Sequence, residues 1–145
     1  MSMGYCSTRQ KRYSKDMELK NTTVLVVDDD EMLREVIVYE LSRHHLKTME
    51  ASNGTEAFQV VKNSKIDIVI SDIKMPGGDG IELLKNIREM DPRIPVLIFM
   101  TGFSRILPKD AIALGARKVF EKPFDRKAFM DEIRTIASEL KDSNP

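Results

Sequence analysis

The sequence predicts an α/β fold, a three-layer doubly wound sandwich in which a five-stranded parallel sheet is covered by helices on both faces. From Thr22 onward, short β-rich runs alternate with amphipathic helical runs. The β-rich runs are short and mostly apolar, as strands buried on both faces should be. Three of them end in charge: Asp28-Asp29, Asp72 and Lys122-Pro123. In an open parallel sheet the loops after the carboxyl ends of the strands meet at one edge, which is where such folds bind ligands.

Taken in order, the expected strands are Thr23 to Asp28, Leu46 to Ala51, Ile66 to Ser71, Val96 to Met100 and Arg117 to Glu121. Five helices fill the intervals and the end. The first places Leu33, Val36, Ile37 and Leu41 on one face, and the last places Phe129, Ile133, Ile136, Ala137 and Leu140, both at three-to-four spacing, so both stripes read as core. Asn53 with Glu56 and Asp79 with Glu82 have the spacing of an N-cap and its N3 acid, which sets two helix starts. His44 and His45 are adjacent, point to different sides of a helix, and sit near its end, where interaction with the helix dipole is their expected role. Right-handed crossovers leave the doubly wound sandwich as the simplest topology.

Length and charge bound the rest. A chain of 145 residues with 41% hydrophobic content has room for one domain with one packed core plus short tails. The 23 basic and 23 acidic residues cancel, so no global field draws the chain onto nucleic acid or an anionic membrane, and neither is expected as a direct partner. No apolar stretch approaches the roughly 20 residues needed to span a bilayer, and the start lacks a signal-peptide core, so the expected location is cytoplasmic. Cys6 stands alone, which excludes an internal disulfide and a thiolate metal cluster. Residues 1–20 carry Arg9, Lys11, Arg12, Lys15 and Lys20 against Asp16 and Glu18 with little apolar periodicity, and read as a basic, flexible lead-in. The domain is expected over residues 21–141 and a C-terminal tail over 142–145.

The strand ends carry the chemistry. Asp28-Asp29-Asp30 offers three acids where one suffices to cap the next helix. Mg2+, or Mn2+, prefers oxygen ligands and takes one or two carboxylates plus a phosphoryl oxygen, which Asp28 or Asp29 and Asp72 can supply; as helix caps and surface acids the same residues need no metal. Asp72 is followed by Ile73-Lys74-Met75-Pro76-Gly77-Gly78-Asp79-Gly80, a turn that can bring backbone groups close to a ligand. A carboxylate held there can attack phosphorus to give an acyl phosphate, with a metal ion and Lys122 neutralising the phosphoryl oxygens. Thr101, at the end of the fourth strand with Gly102 beside it, can donate its hydroxyl to the same group.

Together these residues resemble the receiver domain of two-component response regulators. The resemblance covers about residues 22 to 140 and rests on Val-Val-Asp-Asp at 26–29, Ser-Asp-Ile-Lys-Met-Pro-Gly-Gly-Asp-Gly at 71–80, Met-Thr-Gly at 100–102 and Lys-Pro-Phe at 122–124. It implies a sheet in the order 2-1-3-4-5, Asp72 as the phosphorylated aspartate, Asp28 and Asp29 as Mg2+ ligands, and the Lys74 backbone carbonyl as a further ligand. It also implies Thr101 as the switch hydroxyl, Lys122 as the phosphoryl-pairing amine, and a cis bond at Lys122-Pro123. The implied partners are a histidine kinase or histidine phosphotransferase and a downstream protein target on the helix 4, strand 5 and helix 5 face. A monomer or a phosphorylation-dependent dimer is the implied assembly.

Two departures from the family pattern matter. Where receivers often carry a Tyr or Phe three residues before the lysine, this chain has Val119, with Phe120 next; either Phe120 substitutes through a local shift, or output runs through the loop after Thr101. At the two positions that govern acyl-phosphate hydrolysis in the family, Lys74 and Phe103 offer no carboxylate or amide to orient water, which predicts a long-lived phosphoryl group. Other classes fit less well. A flavodoxin-like phosphate binder is disfavoured because Asp28-Asp29-Asp30 repels an anion, and a haloacid-dehalogenase-type phosphatase needs an acid where Lys74 stands. The alternative that stays open is a pseudo-receiver that docks partners without phosphorylation. Two roles fit equally, an adaptor that binds a target when phosphorylated and a relay shuttle to a histidine phosphotransferase, and the Thr101-Gly102-Phe103-Ser104 string and the Lys-Val-Phe-Glu-Lys-Pro-Phe ending are also similar to receivers of hybrid histidine kinases, as in a receiver excised from a longer protein.

Overall fold

In the computed structural model, which describes residues 19–102, 106–123 and 125–142, five parallel strands form one sheet in the order β2-β1-β3-β4-β5. The strands are β1 (Thr23–Val27), β2 (Lys47–Ala51), β3 (Ile68–Ser71), β4 (Val96–Thr101) and β5 (Lys118–Glu121). Five helices alternate with them: α1 (Glu31–Arg43), α2 (Gly54–Asn63), α3 (Gly80–Met90), α4 (Pro108–Ala113) and α5 (Arg126–Asp142). Cys6, the basic residues up to Lys15, Phe103, Phe124 and residues 143–145 lie outside the described residues.

Side chains alternate across each strand, so the sheet buries two different sets. Val24, Val26, Ile68, Ile70, Ile98, Met100 and Phe120 face α1 and α5, where they meet Ile37, Leu41, Phe129, Ile133 and Ile136. Leu25, Val27, Val69, Leu97 and Phe99 face α2 and α3, where they meet Ala57, Leu83, Leu84 and Ile87. Helix starts follow the sequence signals: Asn53 Oδ1 accepts from Glu56 N–H at 2.8 Å and Asp79 Oδ1 from Glu82 N–H at 2.8 Å. His44 closes α1 and His45 follows in the left-handed region at φ 70°. Among the described residues no helix is long and apolar enough to cross a membrane.

Four local expectations differ from the structure. Strand ends move by one or two residues; β3 begins at Ile68, and just before it Asp67 Oδ2 accepts Thr23 N–H at 2.9 Å. Strand β2 is an edge, and its middle residues are exposed rather than buried on both faces. Val36 lies outside the α1 core stripe and is 55% exposed, since the helix buries only Ile37 and Leu41. Leu19, grouped by composition with the lead-in, is 1% exposed and packs in the α1/α5 core.

Candidate functional site

The parallel register brings three strand ends to one edge. Val27 of β1 pairs with Ser71 of β3, which pairs with Phe99 of β4, and Thr101 pairs with Glu121 of β5. The next residue on each of β1, β3 and β5 is charged: Asp28, Asp72 and Lys122. Backbone bonds extend the ladder by one step and fix them: Asp28 N–H to Ala51 O at 3.2 Å, Asp72 N–H to Val27 O at 3.0 Å and Lys122 N–H to Thr101 O at 2.8 Å. Neighbouring strands lie about 4.8 Å apart, so side chains at these ends converge.

The three acids after β1 divide their work. Asp30 is the N-cap of α1, its Oδ1 accepting Leu33 N–H at 3.2 Å. Asp28 turns inward, 3% exposed, with Oδ1 accepting Asp30 N–H at 2.9 Å. Asp29 remains exposed between them. One carboxylate oxygen from each of Asp28, Asp29 and Asp72 lies within 4.8 Å of the others. Lys122 Nζ bridges two of them, 3.4 Å from Asp28 Oδ2 and 3.4 Å from Asp72 Oδ2. Asp72 Oδ1 accepts Ile73 N–H at 2.7 Å, which leaves Oδ2 directed to the lysine side.

Electrostatically the cluster is under-neutralised, with three carboxylates around one ammonium. Burial raises the Asp28 pKa above the ordinary carboxylate range; the Asp30 N–H and Lys122 oppose that shift, and the neighbouring Asp72 charge adds to it. A hard divalent cation answers the same imbalance, and its preferred ligands are carboxylate and carbonyl oxygens, which this donor set supplies. Thr101 gives a second, independent sign of fit. It is 4% exposed, and its Oγ1 is buried with no hydrogen-bond partner among the described residues. A buried hydroxyl without a partner is costly, so a ligand acceptor beside it has a ready donor. Among the described residues, a Cβ at Gly102 would meet only Lys122 Cδ, at 3.8 Å.

Asp28, Asp29, Asp72 and Lys122 therefore gather at one edge, and Thr101 ends the neighbouring β4, its carbonyl accepting Lys122 N–H. Lys74 is exposed in the turn after Asp72, between buried Ile73 and Met75. The Lys122–Pro123 bond is cis, as is Ile94–Pro95, which carries no comparable sequence sign. Phe120 does not take the place of an aromatic at Val119. It sits on the opposite face of the sheet from Phe99 and Thr101, in an edge-to-face contact with Phe129 at 5.8 Å. Val119 is on the Phe99 side, partly buried.

Two features escape a reading of motifs. Arg34 donates from Nη1 to Asp28 O at 2.6 Å and from Nε to Glu50 Oε1 at 2.9 Å, tying the acid-bearing turn to the edge strand. Nothing in its spacing from Glu50 signals this. Next to the acids, Met32, Val36 and Tyr39 form an exposed apolar stripe on α1, over a cavity of about 440 Å³ lined also by Arg126 and Phe129. Their four- and three-residue spacing is visible in the sequence, but it overlaps the core stripe.

Comparison with known proteins agrees with this fold. The sporulation initiation phosphotransferase F of Bacillus subtilis is 36% identical over 117 residues, covering 80% of this chain and 90% of that protein. The response regulator receiver protein CpdR of Brucella abortus is 32% identical over 114 residues, 78% of this chain and 94% of that protein. Longer transcriptional regulators also match, and the chain spans only 24% of one and 22% of another. Among solved structures, a chain of the CheX–CheY–BeF3–Mg2+ complex from Borrelia burgdorferi superimposes with a TM-score of 0.73 at 31% identity, over 79% of this chain and 88% of that one. The response regulator receiver domain family matches residues 24–134, and the chain belongs to that family of two-component systems.

Proposed function

We propose that this chain is the phosphoacceptor of a two-component phosphorelay, taking a phosphoryl group from a histidine kinase or histidine phosphotransferase onto Asp72. The observation that carries the reading is the convergence of three carboxylates and Lys122 beside the buried, unpartnered Thr101 hydroxyl. In this reaction an Asp72 carboxylate oxygen attacks the phosphorus, the P–N bond of the phosphohistidine breaks, and its electron pair returns to the imidazole, which takes up a proton. The product is an acyl phosphate. Mg2+ or Mn2+, held by Asp28, Asp29 and Asp72 with the Lys74 carbonyl, would balance the crowded acids and the equatorial phosphoryl oxygens.

The chain's own groups then hold the product. Lys122, already shared by Asp28 and Asp72, moves its ammonium onto the phosphoryl group as Asp72 loses its charge. Thr101 donates its free hydroxyl to a phosphoryl oxygen, which draws the end of β4 toward the site and biases a two-state equilibrium. With Phe120 packed on the far face, an inward aromatic swing has no part in this reading, and output is assigned to the segment between Thr101 and α4, of which residues 103–105 lie outside the described residues. That segment leads into α4, whose neighbourhood exposes Leu107, Ile112 and Leu114, an apolar surface suited to a downstream protein on the α4, β5 and α5 face. Lys74 provides no carboxylate or amide to orient a water, so the acyl phosphate is long-lived; decay within seconds overturns that part.

The test is intact mass after treatment with acetyl phosphate or phosphoramidate, with and without Mg2+, for the wild type and Asp72→Asn. One added phosphoryl group that requires both Mg2+ and Asp72 is the expected result. No gain under any condition overturns the reading in favour of a phosphorylation-independent docking module.

A further inference from the structure

The turn after Asp72 is held by the start of a different helix. Gly77 and Gly78 have φ of 82° and 125°, a region that favours glycine, and their carbonyls both meet the first turn of α2. Gly54 N–H donates to Gly78 O at 2.9 Å, and Thr55 Oγ1 donates to Gly77 O at 2.8 Å. The Gly54 N–H is one of the donors that any helix start leaves without an intrahelical partner, so here the helix end is completed by the turn itself. Contact is too close for side chains: a Cβ on Gly54 would stand 2.8 Å from Gly78 O, and one on Gly78 would stand 2.8 Å from Thr55 Oγ1. The turn also closes on itself, Gly80 N–H donating to Ile73 O at 2.7 Å. The two ends of the turn are thus joined by the Gly80–Ile73 bond, and α2 holds Gly77 and Gly78 within it, with Lys74 between the Ile73 and Gly77 anchors.

We propose that the first turn of α2, through the Gly54 N–H and the Thr55 hydroxyl, is a positioning element for this turn and sets its affinity for a divalent cation. The inference rests on the phosphoacceptor reading above. The Thr55 and Gly77 side of the contact is exposed, so the bond adds little to global stability. What it fixes is local: the placement of the backbone between Asp72 and Asp79 relative to the carboxylates of Asp28, Asp29 and Asp72. Hydrogen bonds that orient a ligand-bearing group act on metal affinity far more than on folding. Without the Thr55 bond the turn keeps its Gly80 closure and gains freedom around Lys74.

The experiment uses the full chain and the variants Thr55→Val, which removes the hydroxyl at constant shape, and Thr55→Ser, which retains it. Titration calorimetry with Mg2+ alone gives the dissociation constant, urea unfolding gives global stability, and amide hydrogen exchange reports the turn. Thr55→Val is expected to bind Mg2+ roughly three- to tenfold more weakly, with faster exchange over residues 73–79 and an almost unmoved urea midpoint, while Thr55→Ser matches the wild type. A wild type that binds Mg2+ and a Thr55→Val variant that binds it equally well overturn this inference alone. Weaker binding that tracks an equal loss of global stability, or that Thr55→Ser shares in full, also overturns it. A wild type that takes up no Mg2+ overturns the phosphoacceptor reading and this inference with it.

Discussion

Asp28 is buried where a carboxylate is poorly solvated, and the fold accepts the cost to keep it beside Asp72 and Lys122. Its raised pKa has a definite consequence for stability. Below the ordinary carboxylate range both folded and unfolded chains carry the proton, and the group contributes nothing to pH dependence. As pH rises from that range through the raised value, the unfolded chain has lost a proton that the folded chain retains, so stability falls. Above it the penalty is complete. In Mg2+-free buffer, Asp28→Asn, which removes this titration, is therefore expected to melt above the wild type at neutral pH and to show a shallower decline in stability as pH rises through the range in which the carboxyl ionises. Thermal unfolding across that pH range checks it; an Asp28→Asn variant less stable than wild type at every pH contradicts the sign. The sequence displays three adjacent acids, but nothing in it says which is inward. Asp30 is spent on Leu33 N–H and Asp29 faces water, and that division depends on the angle at which α1 leaves β1.

At the scale of elements, the strands and the capped helices were readable because each has a local cause. The caps at Asn53 and Asp79 stand where their spacing puts them. What was not readable depends on neighbours distant in sequence. The exposure of β2 follows from its place at the sheet edge, and the orientation of Phe120 follows from β5 alternation, which sets it against Phe129. Arg88 on α3 is another such case: its guanidinium donates to Gly115 O at 3.1 Å, Asp91 O at 3.3 Å and Pro95 O at 2.8 Å, joining the loops before β4 and β5. Gly115, at φ 114°, lies so close that a Cβ would touch Arg88 at 3.0 Å. Arg88→Met retains the packing stem and strands three carbonyls, and is expected to lose about 2–4 kcal/mol in urea unfolding; a loss below about 0.5 kcal/mol would show that water replaces it freely. The exposed α1 stripe makes a functional prediction. Met32, Val36 and Tyr39 flank the acid edge, so a protein donor has apolar surface to cover there, whereas acetyl phosphate has none to use. Tyr39→Glu should slow transfer from a phosphorylated histidine protein by about tenfold and leave acetyl phosphate labelling unchanged. Equal slowing with both donors argues against a docking role for the stripe.

For the whole molecule, the 2-1-3-4-5 order is what turns remote residues into one site. Asp28 and Asp29 leave β1, Asp72 leaves the adjacent central strand β3, and Lys122 leaves β5 at the far edge, reaching back across Thr101. The order of the fold was expected from family resemblance, whereas alternation alone gave only a doubly wound sheet; nothing local in a chain ranks its strands. Because the acids meet only when the sheet is complete, an unfolded chain has no comparable cation site, and the Mg2+ binding proposed above would be linked to folding. At Mg2+ about one hundred times its dissociation constant, the linkage gives ~2.7 kcal/mol, or roughly 10 °C in Tm for a domain of this size. Asp29 separates metal from fold, since it is exposed and, among the described residues, its side chain neither caps a helix as Asp30 does nor pairs with Lys122 as Asp28 does. Asp29→Ala should therefore melt within about 2 °C of the wild type in the presence of a chelator, yet lose most of the Mg2+-dependent rise. Calorimetry with and without Mg2+ decides it. If Asp29→Ala retains the full rise, the cation sits elsewhere on the surface. If the wild type shows no rise, the carboxylates at this edge serve the fold and its partners without a metal.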